Sequence, residues 1–328
     1  MGGDHGPTEI LPAAIYSLDK HKDLEIILVG DEVVLQELLK KLDLSSNERL
    51  RIQHASECVE MHELPSQALR NKKDSSMRVA IQLVKDDIAM ACVSAGNTGA
   101  LMALARYILK MLPGIDRPAI CSMMPGINGH THLLDLGANV DPSSEQLFQY
   151  AVMGAELTSA VDNVKNPTVA LLNVGAEEIK GNDRVKQAAL LLDESHLNYV
   201  GFVEGNDIYS SKVDVIVCDG FSGNIALKAS EGVAKLFGTQ AKKEFQRSLY
   251  GKFAALVSSP VLKSIRHKID PRRYNGASLL GLKGIVVKSH GGADRLSFAN
   301  AIEEAIKEVN KNVPDRISER LEELLIEG

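Results

Sequence analysis

No uninterrupted apolar run in this chain approaches the ~18 to 20 residues a helix needs to cross a bilayer, and no signal peptide is legible. Any membrane contact is therefore expected to be peripheral, made by a protein of the cytoplasm. Cysteine is scarce: Cys58, Cys92, Cys121 and Cys218 lie far apart, form no C-x-x-C pair, and three of them sit in apolar runs. That pattern favours buried reduced thiols over disulfides or a zinc site. G-x-G-x-x-G and G-x-x-x-x-G-K-[ST] are both missing, so dinucleotide and nucleoside triphosphate binding lack their usual support. Internal repeats and low-complexity linkers are absent too, and the chain reads as one α/β unit over 1–328 with a soft lobe boundary near 140–165. Nor is there a surplus of positive charge: a net charge of −6 and a pI near 5.9 argue against a protein that coats nucleic acid.

What is present suits an ordinary globular enzyme, 45% hydrophobic and 24% charged over 328 residues, enough to bury one large core or two smaller lobes. Short apolar, β-branched runs alternate with helix-period segments at 24–30, 88–96, 119–125, 132–139, 168–175, 199–205, 213–220 and 284–291. Near-continuous apolar strands between helices predict a sheet covered on both faces. Most of these runs end in Gly, Asn or Asp before a helix, and ligands of open α/β sheets sit at the carboxyl ends of strands. The opening, MGGDHGP, is a glycine-rich turn with a good helix start at Pro7 and Glu9 but no strand before it.

The loops carry the candidate chemistry. In SAGNTGA (94–100), Gly96 and Gly99 permit close backbone approach and the first helical turn offers free N–H groups to an anion; the bland alternative is a tight turn capped by Thr98. CDGFSGNIALK (218–228) repeats that logic with Asp219, Gly220, Ser222, Gly223 and Asn224. GFSG is not a nucleophile elbow, because Asn224 holds the place of the final glycine. DLGANVD (135–141) and LLNVGAEEIKGND (171–183) bring Asp135, Asn139, Asn173, Glu177 and Lys180 to two further strand ends. Lys180, between glycine-flanked turns, can meet a phosphate or an oxyanion as a point charge, or simply be an exposed loop lysine. His5, beside Asp4, can orient or deprotonate phosphate or be a solvated turn histidine. His130-x-His132 has a metal-like spacing on one strand face, but only Asp135 is near as a third ligand and no metal is expected.

Between 242 and 273, nine Lys/Arg face two acids within an acidic protein. Leu249, Phe253, Leu256 and Val257, then Val261, Leu262, Ile265 and Ile269, trace two amphipathic helices, with Ser259-Pro260 restarting the second. Such a hairpin suits a dimer contact, an anionic lipid surface or an acidic carrier protein.

MGGDHGP, SAGNTGA, DLGANVD, LLNVGAEEIKGND, VEGNDI, CDGFSGNIALK and NGASLLGLKGIVVKSHG, in this order over nearly the whole chain, closely resemble the PlsX family of bacterial phosphate acyltransferases. The resemblance implies an α/β fold with a multi-layer sheet, helices on both faces and an amphipathic helical hairpin, similar to the isocitrate/isopropylmalate dehydrogenases and phosphate acetyltransferases. It implies a homodimer that converts long-chain acyl-acyl carrier protein and inorganic phosphate to acyl-phosphate, peripheral to an anionic membrane and feeding a membrane glycerol-phosphate acyltransferase, without cofactor, metal or nucleic acid. Family members usually begin with a short strand leading into D-A-M-G-G-D; this sequence starts at that Met, and the preceding acid and strand are expected to bear on activity and stability.

The expected mechanism needs positioning more than acid catalysis, because a thiolate with a pKa near ~8.5 leaves readily. Lys180, Asn224, His5 and Asp219 are the expected catalytic groups. Gly3, Asp4, Ser94, Gly96, Asn97, Thr98, Asn139, Asn173, Gly220, Ser222 and Gly223 are the expected phosphate-binding set. Leu249, Lys252, Phe253, Leu256, Val257, Val261, Leu262 and Arg266 are expected to meet membrane or carrier. Competing readings are a phosphate acetyltransferase using acetyl-CoA, an NAD-dependent decarboxylating dehydrogenase, and a non-catalytic lipid-surface scaffold.

Overall fold

A computed structural model describes residues 1–44 and 47–327, without the side chains of 266, 267 and 324–327. The opening turn passes into α1 (Pro7–Lys20), whose Pro7 is preset for a first helical position and whose Glu9 complements the helix dipole. Next come β1 (Ile26–Gly30), α2 (Glu32–Lys41), capped by Asp31, and β2 (Leu50–His54); β1 and β2 pair in parallel as a separate two-stranded sheet. α3 (Pro65–Asn71) and α4 (Ser76–Lys85) lead to β3 (Ala91–Ser94) and α5 (Thr98–Leu109). β4 (Ala119–Gly126) and β5 (Gly129–Leu134) form a hairpin, and a Ser143–Gln146 capping box starts α6 (Ser144–Asp162). β6 (Thr168–Leu172), α7 (Asp183–Asp193), β7 (Asn198–Val203) and β8 (Val215–Val217) follow. Then α8 (Gly220–Gln246), α9 (Leu249–Val257) and α10 (Ser259–Ile269) run on with no strand between them. β9 (Ala277–Leu280), β10 (Ile285–Lys288), α11 (Arg295–Asn310) and α12 (Val313–Glu327) complete the chain.

The main sheet has the order β3-β10-β9-β4-β5-β8-β6-β7. β3 is parallel to β10; β9 is antiparallel to β10 and β4; β4 is antiparallel to β5; and β5, β8, β6 and β7 run together. Consequently β3 and β10 point opposite to β5, β8 and β6, and their carboxyl-end loops leave opposite edges of the sheet.

The apolar runs are continuous because both faces are buried and successive side chains alternate between them. Leu134, Val215 and Val217 join one core with Tyr150, Met153, Leu157 and Leu171, under α6, α7 and α12. Leu133 and Ile216 point the other way, into a core with Ile120, Met124 and Ile208 that Ala226 and Leu227 of α8 pack upon.

Several local expectations shift. The run 132–139 stops as a strand at Leu134, because the Asp135 carboxylate accepts from the N–H groups of Ala138, Asn139 and Ile120 and folds the rest into a turn. Asn97, not Thr98, caps α5, its Oδ1 accepting from Ala100 N. α10 begins at Ser259, with Ser258 in the flanking position instead of Ser259. β2 and β9 are strands that the apolar-run reading missed: LRIQH is largely polar and β9 is only four residues long. Cys92, Cys121 and Cys218 are buried, and burial raises the Cys92 thiol to about 12. Among the described residues no helix is long and apolar enough to cross a membrane.

Candidate active site

Three segments distant in sequence close around the carboxyl ends of β3 and β10. Gly2 has φ +109° and a Cβ there would lie 3.5 Å from Gly96 Cα; Gly3 has φ +80° and a Cβ would lie 3.1 Å from Gly291 O. Only glycine allows the opening turn to lie this close to both loops. Asp4 N donates to Gly291 O at 2.8 Å, which sets the Asp4 carboxylate against Gly291 and Gly292. Lys288, the last residue of β10, points into this region with 8% of its surface exposed, and its Nζ donates to the carbonyls of Ala95, at 3.4 Å, and Ser289. Burial lowers the Lys288 amine to about 8, Asp4 opposing that effect and Lys228 adding to it. Sequence reading quoted the IVVKSHG segment without singling out Lys288; a lysine ending an apolar strand was the available signal.

Other members of the predicted set at this edge have structural duties. The Asn97 amide donates to the carbonyls of Glu60, Met61 and Glu63 while its Oδ1 caps α5. Ser94 Oγ accepts from Gly96 N at 3.2 Å. Thr98 and His5 are exposed, and the His5 carbonyl accepts from Thr8 Oγ1.

The remaining candidates gather at the opposite edge. Asp219 caps α8: Oδ1 accepts from Ser222 N and Oδ2 from Ser222 Oγ, both at 2.8 Å. Gly220 N donates to Asn139 O, and the Asn139 amide is engaged by Pro118 O and Asp135 Oδ2, so Asn139 braces its own loop. Burial raises the Asp135 carboxyl, and the four hydrogen bonds from Ala138, Ile120 and Asn139 only partly offset it. Asn224 is exposed and its side chain lies over Gly137. The Asn173 amide donates to Lys180 O at 3.2 Å and closes the loop that carries Lys180, whose Nζ is 3.7 Å from Glu177 Oε1. Arg184 pairs with Asp141, tying this loop to the one after β5.

Strand polarity thus separates the 94–99 loop from the 220–224 loop, and α8 starts at the second of them. Its Gly223 presses on Asp135 at one edge, Ala226 and Leu227 pack across the sheet face, and Ser230 meets Tyr209. Asn224 and Lys228 are four apart and share one face of the helix. The candidates therefore form two groups, Lys288 and Asp4 beyond the carboxyl ends of β3 and β10, and Asp219, Asn224 and the Lys180 loop at the opposite end of the strands.

A family model described as "Fatty acid synthesis protein" matches residues 1–316. The phosphate acyltransferase of Methylococcus capsulatus is 61% identical over 306 residues, covering 93% of this chain and 90% of that protein. That of Nitrosococcus oceani is 59% identical with the same coverage, and that of Legionella pneumophila 58% over 307 residues, again with that coverage. The chain belongs to this family. Its curated relatives are acyltransferases, and the PlsX resemblance of the motifs is thereby confirmed. Among solved structures, a phosphotransacetylase from Streptococcus pyogenes aligns with TM-score 0.64 at 17% identity, covering 92% of this chain and 90% of that one. A branched-chain phosphotransacylase from Enterococcus faecalis gives 0.58 at 14%, covering 94% and 97%. At such identities the likeness is one of fold, and it agrees with the expected α/β class.

Away from these two groups, the amphipathic helices are where the periodicity put them, and their apolar faces are bare: Leu249 is 85% exposed, Leu256 71% and Phe253 64%. Val257, Val261 and Leu262 are also exposed, as is Lys252, whereas the Arg266 side chain lies outside the described residues. His130 and His132 share a partner, but it is Asp162 at the end of α6 and not Asp135: Asp162 Oδ2 is 2.9 Å from His130 Nε2 and 2.8 Å from His132 Nε2. The three side chains offer ligand atoms within 4.8 Å of one another, yet both histidines already point at one carboxylate oxygen.

Burial alone would raise Asp162; the two histidine contacts reverse this and hold it below the usual carboxylate range. The Asp162 hydrogen bond raises His130 despite burial. The Asp162 contribution is therefore present above its unfolded pKa of ~3.9 and lost as pH falls through the folded value. That of His130 is full below its unfolded pKa of ~6.5 and lost as pH rises through the folded value. Asp162→Ala is expected to destabilise the fold by about 1–3 kcal/mol. Denaturation curves across pH should show the difference from wild type greatest between about pH 4 and 6.5.

Proposed function

We propose that the protein transfers a long-chain acyl group from acyl-acyl carrier protein to inorganic phosphate, giving acyl-phosphate for phosphatidic acid synthesis. A phosphate oxygen bonds to the thioester carbonyl carbon, the carbon–sulfur bond breaks, and the electron pair leaves on the carrier thiolate. Lys180 and Asn224 steady the oxyanion, and Asp4, with His5 at the exposed rim, orients the phosphate. The supporting observation beyond family membership is the bare apolar surface of α9 and α10 within a basic segment, which suits a long-chain donor on an acidic carrier or an anionic lipid surface better than a soluble acetyl thioester. On this reading the protein acts as a homodimer at the membrane periphery and passes its product to a membrane glycerol-phosphate acyltransferase.

The test measures free carrier thiol released from palmitoyl-acyl carrier protein with and without phosphate, capturing acyl-phosphate as the hydroxamate. Phosphate-dependent release with hydroxamate is expected. Turnover of acetyl-CoA in preference to the carrier-bound chain would replace this reading with a phosphate acetyltransferase, and an acyl group trapped on Ser222 or Cys218 would overturn direct attack by phosphate.

A further inference from the structure

The β4–β5 hairpin carries a side-chain cluster that the proposed reaction leaves unused. Residues two apart on a strand share a face, so His130 and His132 follow Leu134 onto the face of β5 that α6 covers, opposite the face on which Leu133 meets the core under α8. Thr131, between them, points the other way and donates its Oγ1 to Val213 O at 2.9 Å, which helps to fix the strand and with it both rings.

Asp162 comes from a different element. It is the last residue of α6, and Asn163 turns the chain there with φ +58°. A carboxylate at a helix C-terminus stands against the negative end of the helix dipole, and no basic residue occupies the last turn of α6. Lys307 and Lys311, at the end of neighbouring α11, are engaged by Glu304 and by Asn163 Oδ1. What converges on Asp162 is the pair of imidazole Nε2 atoms, 2.9 and 2.8 Å from the same oxygen, Oδ2.

Two imidazole nitrogens and a carboxylate oxygen, all within 4.8 Å of one another, are a donor set for a divalent transition metal, whereas magnesium and calcium take oxygen ligands. Bonds of ~2.0–2.2 Å to such an ion put neighbouring tetrahedral ligands roughly 3.3 Å apart, so the two contacts need to open by only about 0.5 Å. The His132 side chain is buried, but those of His130 and Asp162 are 28% and 21% exposed, which gives water access to a fourth position. His132 Nδ1 lies 3.8 Å from Cys121 Sγ, so with Nε2 bonded to a metal the remaining ring N–H has the sulfur as its acceptor.

We infer that His130, His132 and Asp162 form a binding site for a divalent transition-metal ion of the zinc type, with water as its fourth ligand. The ion replaces the two hydrogen bonds to Asp162: each imidazole bonds through Nε2 and carries its proton on Nδ1, and the carboxylate supplies Oδ2. The site ties the start of β5 to the end of α6. Its role is structural, because the loops that carry Lys180 and Asn224 stand at the other end of β5, and it holds independently of the proposed function.

The experiment titrates Zn²⁺ by calorimetry into the whole protein after treatment with a chelator. One site per chain is expected, and His130→Ala and Asp162→Asn should each weaken it at least about tenfold. At a hundredfold excess over Kd, Zn²⁺ should raise the wild-type Tm by about 5 °C and leave that of His130→Ala unmoved. Each variant is compared with and without Zn²⁺, so stability lost with the hydrogen bonds to Asp162 is separated from the response to metal. Co²⁺ in place of Zn²⁺ reports the ligands: the visible bands of a tetrahedral nitrogen and oxygen site, without thiolate charge transfer, are expected. A thiolate band would put the ion on a cysteine and overturn the assignment. So would the lack of a stoichiometric site in the wild type, or an unchanged affinity and Tm response in both variants.

Discussion

Alanine at Lys180 is expected to lower kcat by roughly 10²–10³, the usual loss when one donor to a developing oxyanion is removed. Lys180 stands on a loop whose shape is fixed independently of its ammonium group: Asn173 holds the Lys180 carbonyl, and Gly181, at φ +89°, lies where a Cβ would come within 2.9 Å of Asn173 Cγ. Removing the side chain should leave the loop standing, so the loss is read as chemistry. Its resting partner, Glu177, is itself exposed, and the 3.7 Å pair adds little stability. If Lys180 acts only on the transition state, kcat and kcat/KM for the acyl donor fall together. Single-turnover hydroxamate formation measures this directly, and near-wild-type turnover in the alanine variant would remove Lys180 from the mechanism.

Gly223→Ala is expected to destabilise the fold by about 3 kcal/mol, at the upper end for forcing one methyl group into a packed site. A Cβ at this position would overlap the Asp135 carbonyl oxygen and lie 2.9 Å from Cys218 Sγ, both on rigid elements of the buried sheet edge. Nothing there is the far end of a flexible side chain, so α8 must move instead. Because that helix carries Asn224, displacing its first turn by even about 1 Å should lower kcat/KM around 10²-fold. Thermal unfolding should show Tm lower by about 5–10 °C. Gly238→Ala, farther along the same helix where a Cβ meets nothing within 4 Å, is the control and should leave both quantities close to wild type.

How much of this was legible in the chain differs from element to element. The apolar runs predicted strands at β1, β3, β4, β6, β7, β8 and β10 because a sheet buried on both faces demands apolar residues at every position. The polar β2 and the four-residue β9 escaped because they lack that signature. β9 stands antiparallel between β10 and β4 and leaves those two parallel, so the reversal that puts the 94–99 and 220–224 loops at opposite ends of the strands comes at the β4–β5 hairpin. The glycine motifs marked the right loops, but Asp219, Asn97 and Asn139 illustrate a limit. A polar residue at a strand end looks the same in sequence whether it faces a ligand or satisfies backbone N–H groups of its own turn.

The sequence by itself determined the α/β class, the family, the glycine-rich loops and the two amphipathic helices, because periodicity, turn chemistry and motif order are local properties of the chain. Tertiary structure alone decided which loops meet. Strand order and direction brought the Asp4 turn, nearly the length of the chain away, against the loop that follows Lys288, and set the first turn of α8 against Asp135 at the other end of the strands. The burial that depresses the Lys288 amine exists only after those segments have packed.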